Sequence, residues 1–402
     1  MSLRNIGIVY RKELTDSLRD RRTLVSMIVV PILLMPLLTI GMGVLTAKII
    51  GEAMKEVPLV MVLGGEDSPG LMEKLGNLRT VQVVPARPNY ADLISDKRIR
   101  AAVEIPRGFE AAQERGETPI VEIDIYEGEL RSTLAAHRLE RFFRGMRDTK
   151  VRERLMARGL PPNFIRPFEI TEKNVASPEK VFGNTFGAIF PYLIILLCLT
   201  GAMYPAIDLT AGEKERGTME TILCSPVSRT HLVLGKFLMV LTASLATAAL
   251  ATSSMALTLF GARTMLSGAG PSQSAMLQAK VQPASILAIF LMVLPIAVLL
   301  SAGLLAIALV AKSYKEAQSY ISPLILVIIL PAVTAVLPGV ELNPGRALIP
   351  ILNTSLICKE LITGTYHWKY MALIFASSCA YAAAAIYLAV KMFQRENVLF
   401  RT

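Results

Sequence analysis

The stretch Asp208-Leu-Thr-Ala-Gly-Glu-Lys-Glu-Arg-Gly-Thr-Met-Glu-Thr-Ile-Leu-Cys-Ser-Pro-Val-Ser-Arg229 lies between two long uncharged runs, residues 185–207 and 237–262, and its reading decides how the chain is arranged. A polar stretch this short, between two runs long enough to cross a hydrocarbon core, is a loop at one membrane surface. Within it Gly217 breaks the charged run. Thr218 is placed to cap a new helix, its hydroxyl accepting one of the free N–H groups that a helix start leaves. Glu220 falls in the first turn, where the helix dipole favours an acid. Met219, Ile222 and Leu223 recur at i, i+3 and i+4, and Pro226 ends the segment. The pattern predicts a short amphipathic helix lying flat at the membrane surface, flanked by Glu213, Lys214, Glu215, Arg216, Glu220 and Arg229. Such a helix is either an interfacial anchor or a docking element.

The 402-residue chain is 53% apolar, and its apolar residues gather in runs at about residues 24–46, 184–207, 237–262, 283–311, 318–338 and 370–390. Each has the roughly 20 residues that a hydrocarbon core requires, and none holds a charge. The fold class is therefore an α-helical polytopic membrane protein with six transmembrane helices. Six spans put both termini on one side. Basic residues cluster before the first span (Arg4, Arg11, Lys12, Arg19, Arg21, Arg22), after spans two and four (Lys214, Arg216, Arg229, Lys236, Lys312, Lys315) and in the tail (Lys391, Arg395, Arg401). The positive-inside rule makes that side cytoplasmic.

Residues 1–23 place Ile6, Val9, Tyr10, Leu14 and Leu18 at helical spacing among Arg and Lys, which predicts an amphipathic elbow helix with its basic side toward headgroups. The apolar run that follows, 24–46, is about twice the length of a signal-peptide core, so it is read as an uncleaved span. Residues 47–183 form the one segment able to build a water-soluble core. Short β-branched runs at 57–63, 81–84, 101–105 and 120–126 alternate with helical stretches at 71–75, 90–95 and 109–114, which predicts a soluble α/β domain with a partly parallel sheet. Following the first span, it is expected to be extracytoplasmic. It ends in a helix over 130–159 dense in arginine. That face is read as solvated, or as contacting anionic headgroups or an acidic partner. From Ala47 to Lys180 there are 22 basic and 21 acidic residues, so the net +10 belongs mainly to the membrane half and reports topology. Nothing in its distribution points to nucleic acid.

In the third span Ser244, Thr247, Ser254 and Thr258 fall near one helical face. Small hydroxyls on membrane helices pack closely against neighbours, or here line a translocation path. No Asp or Glu lies within the apolar runs, which weighs against a deeply bound cation. Spans three to five occupy 237–338. Residues 339–369, with Asn343-Pro-Gly345 and Pro350-Ile-Leu-Asn353, are too apolar for a free loop and too interrupted for a span, and predict a re-entrant hairpin at the outer mouth. Asn353 is a further candidate for the path. The sixth span and the tail take 370–402. The sequence has no Gly-x-x-x-x-Gly-Lys-Ser/Thr phosphate loop, no catalytic constellation and no metal-ligand spacing among its three histidines and four cysteines. Cys358 is the one cysteine expected to face outward.

The run Gly212-Glu-Lys-Glu-Arg-Gly-Thr-Met-Glu-Thr221, followed by Pro226-Val-Ser-Arg229 and Gly235-Lys236, resembles the first cytoplasmic loop of type-2 ABC exporter permeases, in particular their NatB-like sodium-efflux branch. Pro350-Ile-Leu-Asn353 resembles the outer mouth of the same branch. The resemblance implies that residues 208–236 are a coupling loop whose helix sits in a groove of a separate, NatA-like ABC ATPase subunit. Glu213, Glu215, Gly217, Thr218 and Glu220 would couple, with Met219, Ile222 and Leu223 as the buried face. It further implies a second permease copy or a paralogue in the same bilayer and a cytoplasmic-membrane location. ATP and Mg would be held by the ATPase, with no cofactor in this chain. Efflux of sodium is the expected activity. Export of a lipid, drug or glycan-like molecule, and a membrane-anchored sensor or scaffold, remain open alternatives.

Overall fold

The computed structural model describes residues 3–161, 164, 187, 189–265, 282–337 and 339–395. The chain forms two compact units, one of residues 1–42 and 174–402, the other of residues 43–173. The larger unit opens with helix α1, Leu3–Ser17, and a short helix α2, Arg21–Leu24. Asp20 caps α2 by accepting from the backbone N–H groups of Arg22 and Thr23. A π-turn, Val25–Val29, leads into α3, Val30–Lys55.

The smaller unit is built on a four-stranded sheet of β1 (Leu59–Gly64), β2 (Gln82–Val84), β3 (Ala101–Ile105) and β4 (Glu122–Ile125) in the order β2-β1-β3-β4. β1 runs parallel to β2 and β3, and β4 closes the edge antiparallel to β3. Its helices are α4 (Pro69–Gly76), α5 (Tyr90–Ser95), α6 (Phe109–Glu114) and α7 (Leu130–Ala157). The two-residue period of the strands separates two apolar layers. Val60, Val62 and Val103 pack with Leu71, Leu75, Phe109 and Leu139, whereas Met61 and Ala102 pack with Leu93 and Ile94. The last part of the expected outer domain, 162–163 and 165–183, and the expected start of span two at 184 lie outside the described residues.

The larger unit resumes with α8, Ile189–Ile207, a π-turn Asp208–Gly212, and the short helices α9, Glu213–Glu215, and α10, Thr218–Leu223. There follow α11 (Arg229–Met265), α12 (Pro283–Val310), α13 (Tyr314–Thr334), α14 (Leu352–Ile362) and α15 (Trp368–Phe393). Among the described residues six helical stretches are long and apolar enough to cross a membrane: Arg21–Gly41, Ile189–Glu215, Arg229–Thr258, Pro283–Val310, Tyr314–Thr334 and Trp368–Phe393. α8 is central, touching α11, α12, α13 and α14. In the spanning windows 72% of span two is buried but only 22% of spans one, five and six, so the latter turn apolar faces outward.

Span three begins at Arg229, not at Phe237, so Lys236, read from the sequence as a loop charge, stands inside a helix. Cys358, expected to face outward, is buried on α14. Just before α14, the Leu352 N–H donates to Pro350 O at 2.9 Å around Ile351, whose φ of 73° and ψ of −55° make this a strained γ-turn.

Candidate functional site

Span two does not stop at Ile207. It passes through the buried π-turn and one more helical turn before the chain reverses. Consecutive helical residues point about 100° apart, so Glu213, Lys214 and Glu215 leave in three directions. Each meets a different helix.

Glu213 turns inward. Lys236 Nζ, on α11, donates to Glu213 Oε1 at 2.5 Å, to Glu13 Oε1 of α1 at 3.3 Å and to Leu209 O of the π-turn at 3.0 Å. The three donors of the ammonium are thereby used. Glu13, Glu213 and Lys236 are 2%, 4% and 0% exposed. A buried ion of either sign is stable only when paired and hydrogen-bonded, so this triad requires all three segments to be in place. On its outer side Glu13 also accepts from Lys12 at 3.2 Å. Burial works against the Lys12 ammonium, but the neighbouring Glu13 carboxylate outweighs it and holds the group above the usual lysine pKa.

Lys214 reaches the C-terminal end of α12, donating to Leu309 O and Ala311 O, carbonyls at the end of a helix and at the negative end of its dipole. Glu215 Oε2 accepts the backbone N–H of Tyr314, the first residue of α13, at 2.7 Å. α13 starts with a capped first turn: Ser313 Oγ accepts from Glu316 N, and Glu316 Oε2 reaches back past the cap to accept from Lys312 N at 2.7 Å. Three successive charges thus hold span three with the elbow helix, the end of span four and the start of span five.

The reversal follows at Gly217, whose φ of +70° is the left-handed conformation that glycine adopts without a Cβ penalty. Gly217, not Thr218, is the cap residue of α10. Thr218 is the first helical residue, and its hydroxyl donates to Glu213 O at 3.2 Å instead of accepting a helix N–H. The turn requires positive φ at the cap position, and that demand overrides the hydroxyl preference. Along α10 Met219 is buried and Ile222 and Leu223 are half-buried against the spans, while Thr218, Glu220 and Thr221 are exposed. The predicted site residues therefore divide. Glu213 and Glu215 bind the protein's own helices, and Thr218 and Glu220 face out.

α1 lies along the start of span three. A Cβ at Gly235 would stand 2.5 Å from Val9 Cγ1, so the two helices touch where only a hydrogen is available. Tyr10 Oη and Thr242 Oγ1 are 3.1 Å apart, and Ser17 Oγ donates to Met239 Sδ. Glu13 and Lys236 were missed as site residues in the sequence. A signal for Glu13 exists: it falls on the stripe of Ile6, Val9, Tyr10 and Ser17, the buried side of the elbow.

The hydroxyls singled out in span three are buried at helix crossings. Ser244 donates to Cys198 O of span two at 3.1 Å, Thr247 to Met27 O at 3.2 Å and Ser254 to Ile32 O, both of span one, at 3.1 Å. Thr258 donates within its own helix to Ser254 O. Asn353 is fully buried elsewhere, donating to Ala347 O and Ser378 Oγ and accepting from Thr354 N. Among the described residues no hydrogen bond joins Asn353 to the span-three hydroxyls.

Among the described residues, six helices fit to span a membrane, an amphipathic helix packed on the third of them, and a charged helix reversal between the second and third make up the larger unit. Residues 21–391 match the model of the ABC-2 family transporter proteins, and the chain belongs to that family. It is a multi-pass ABC-2 permease, which implies a membrane and an ABC ATPase partner. It is 28% identical over 361 residues, 89% of either chain, to the ABC transporter permease protein NatB of Bacillus subtilis (strain 168). No solved structure matches it.

Proposed function

We propose that this chain is the membrane subunit of an ATP-driven exporter, pairing with a second permease and with a NatA-like ATPase that docks on the exposed side of α10. The observation that carries the reading is the Glu213-Lys214-Glu215 run. A push on α10 arrives at the cap Gly217, one turn from three charges that hold the elbow helix and spans three, four and five. In this reading ATP and Mg stay with the ATPase, both termini and α10 are on the cytoplasmic side of the cell membrane, and the unit of residues 43–173 faces outward. Residues 339–369 form the re-entrant outer mouth. Thr218 and Glu220 contact the ATPase, Met219, Ile222 and Leu223 seat the helix on its own spans, and Glu213 and Glu215 transmit. Ser244, Thr247 and Ser254 position the spans that border the path.

The cargo we assign is sodium, on the resemblance of the coupling loop and of Pro350-Ile-Leu-Asn353 to the sodium-efflux branch. The test is co-purification with a co-expressed NatA-like ABC ATPase, then vanadate-sensitive ATP hydrolysis in liposomes, wild type against Glu220→Arg, with and without sodium. A complex lost in Glu220→Arg, and hydrolysis stimulated by sodium alone among cations, are expected. A complex without sodium stimulation removes the cargo assignment and directs the search to lipids and drugs. No complex at all removes the docking assignment.

A further inference from the structure

The arginine-rich helix α7 borders two grooves of the smaller unit. One is lined by Glu140, Phe143, Arg144 and Arg147, and there Glu140 pairs with Arg144 at 2.5 Å. The other, of about 490 Å³, has no carboxylate in its lining. Its cations are Lys55 at the end of α3, Arg79 just beyond α4, and Arg138 and Arg141 of α7.

Among the described residues Lys55, Arg79 and Arg141 enter no ion pair. Arg138 is fixed by three backbone carbonyls, donating to Met54 O at 2.6 Å, Glu56 O at 2.8 Å and Thr80 O at 3.0 Å. Two of the five N–H groups of its guanidinium remain. Glu56, the nearest acid in sequence, is taken by Arg100 at 3.1 Å and Arg131 at 2.8 Å. Between the cations lies an apolar floor. Met54 and Val57 are 62% and 47% exposed, with Leu78 and Phe142 beside them. Four uncompensated cations repel one another, and the floor leaves apolar surface in water. An anion carrying an apolar chain relieves both. The volume lies within the roughly 300–1,000 Å³ of small-molecule sites.

We infer that this groove binds an anionic phospholipid-like amphiphile. Its phosphate lies on the guanidiniums of Arg79 and Arg141, whose planar forks match phosphate oxygens, and its first methylenes lie on Met54, Val57 and Phe142. The neighbouring groove does not share the role, because its two arginines are already paired, Arg144 with Glu140 and Arg147 with Asp148. The inference concerns a ligand of the smaller unit and is independent of what the spans carry.

Native mass spectrometry of the full chain in detergent tests it. Dioctanoyl phosphatidic acid is the probe, dioctanoyl phosphatidylcholine the comparison without net charge, and inorganic phosphate the comparison without a chain. Wild type is expected to hold one phosphatidic acid more than Arg79→Ala/Arg141→Ala. Affinity for that molecule falls about tenfold for each guanidinium removed, and Arg144→Ala/Arg147→Ala retains it. Should the first double variant not fold, Lys55→Gln reads the same loss. Equal retention by wild type and Arg79→Ala/Arg141→Ala, or its stand-in Lys55→Gln, overturns the inference, as does equal binding of phosphatidylcholine or of phosphate alone. Binding of polyglutamate in place of the lipid marks an acidic-peptide surface and overturns it equally.

Discussion

Replacing Lys236 with methionine keeps most of the side-chain length and removes the cation that Glu13 and Glu213 share. Both carboxylates are then left buried, at 2% and 4% exposure. Glu213 Oε2 already lacks a hydrogen-bond partner, so Glu213 loses its directly paired cation and keeps only the more distant charge of Lys12, whereas Glu13 keeps its ion pair with Lys12. Removing one partner of a buried pair costs about 3–5 kcal/mol. With an unfolding entropy of about 2.1 cal/mol/K per residue and a unit of on the order of 270 residues, that becomes a fall in Tm of about 5–9 °C. The assay is thermal unfolding of the purified chain in one detergent. The companion is Glu13→Gln/Lys236→Met/Glu213→Gln, neutral at all three positions and nearly the same shape. It is expected to recover most of the loss, because a buried ionic network is replaceable by packed neutral groups even when breaking it is damaging. A Lys236→Met chain that melts with wild type, or a triple variant no more stable than Lys236→Met, refutes the reasoning.

Gly217→Ala forces a Cβ into the left-handed region at about 1–2 kcal/mol, and is expected to reduce ATPase stimulation while leaving spans intact, with Gly217→Asn milder. Gly235→Ala drives a methyl into Val9 and is expected to lose about 1–3 kcal/mol and to expose α1 to protease; Gly303→Ala, with nothing within 4 Å of its Cβ, does neither. Burial opposes ionisation of Asp20, but bonds from Thr23 and Arg22 outweigh it and hold the carboxyl below its usual value. A depressed carboxyl contributes stability above its unfolded pKa and loses it as pH falls through the folded one. Asp20→Ala should therefore lower Tm at neutral pH, by a cap worth about 1 kcal/mol, and the gap should close only below the ordinary aspartate range. Ser244→Ala and Ser254→Ala are each expected to lose about 0.6 kcal/mol with unchanged cation selectivity; altered selectivity would return these hydroxyls to the path.

The six spans were legible because a bilayer demands long uncharged runs, and each expected run overlaps one spanning helix. The strands were legible for a similar reason: β2, β3 and β4 fall within their β-branched runs, and β1 overruns its own by one residue, Gly64. What stayed hidden depends on partners remote in sequence. Hydropathy ends a span at its first charge, so Lys236 and Glu213 were assigned to the loop, although each is buried once the other is beside it. Local preference named Thr218 as a cap, but chain reversal set the cap at Gly217. Glu213, Lys214 and Glu215 read in sequence as charges flanking the amphipathic helix, with Glu213 and Glu215 turned to the ATPase. Only the ends of α12 and α13 reveal that two of those charges serve as helix caps for other spans.

Glu13 and Lys236 stand 223 residues apart, and Glu213 precedes Lys236 by 23. During synthesis the elbow helix and span two are therefore made before the lysine that joins them. Until then Glu13 and Glu213 have only Lys12 between them, so a chain halted at span two carries two acids sharing one cation. Arrival of the third span converts that liability into a closed joint. The triad thus ties the joining of the elbow helix and span two to the arrival of one residue of span three.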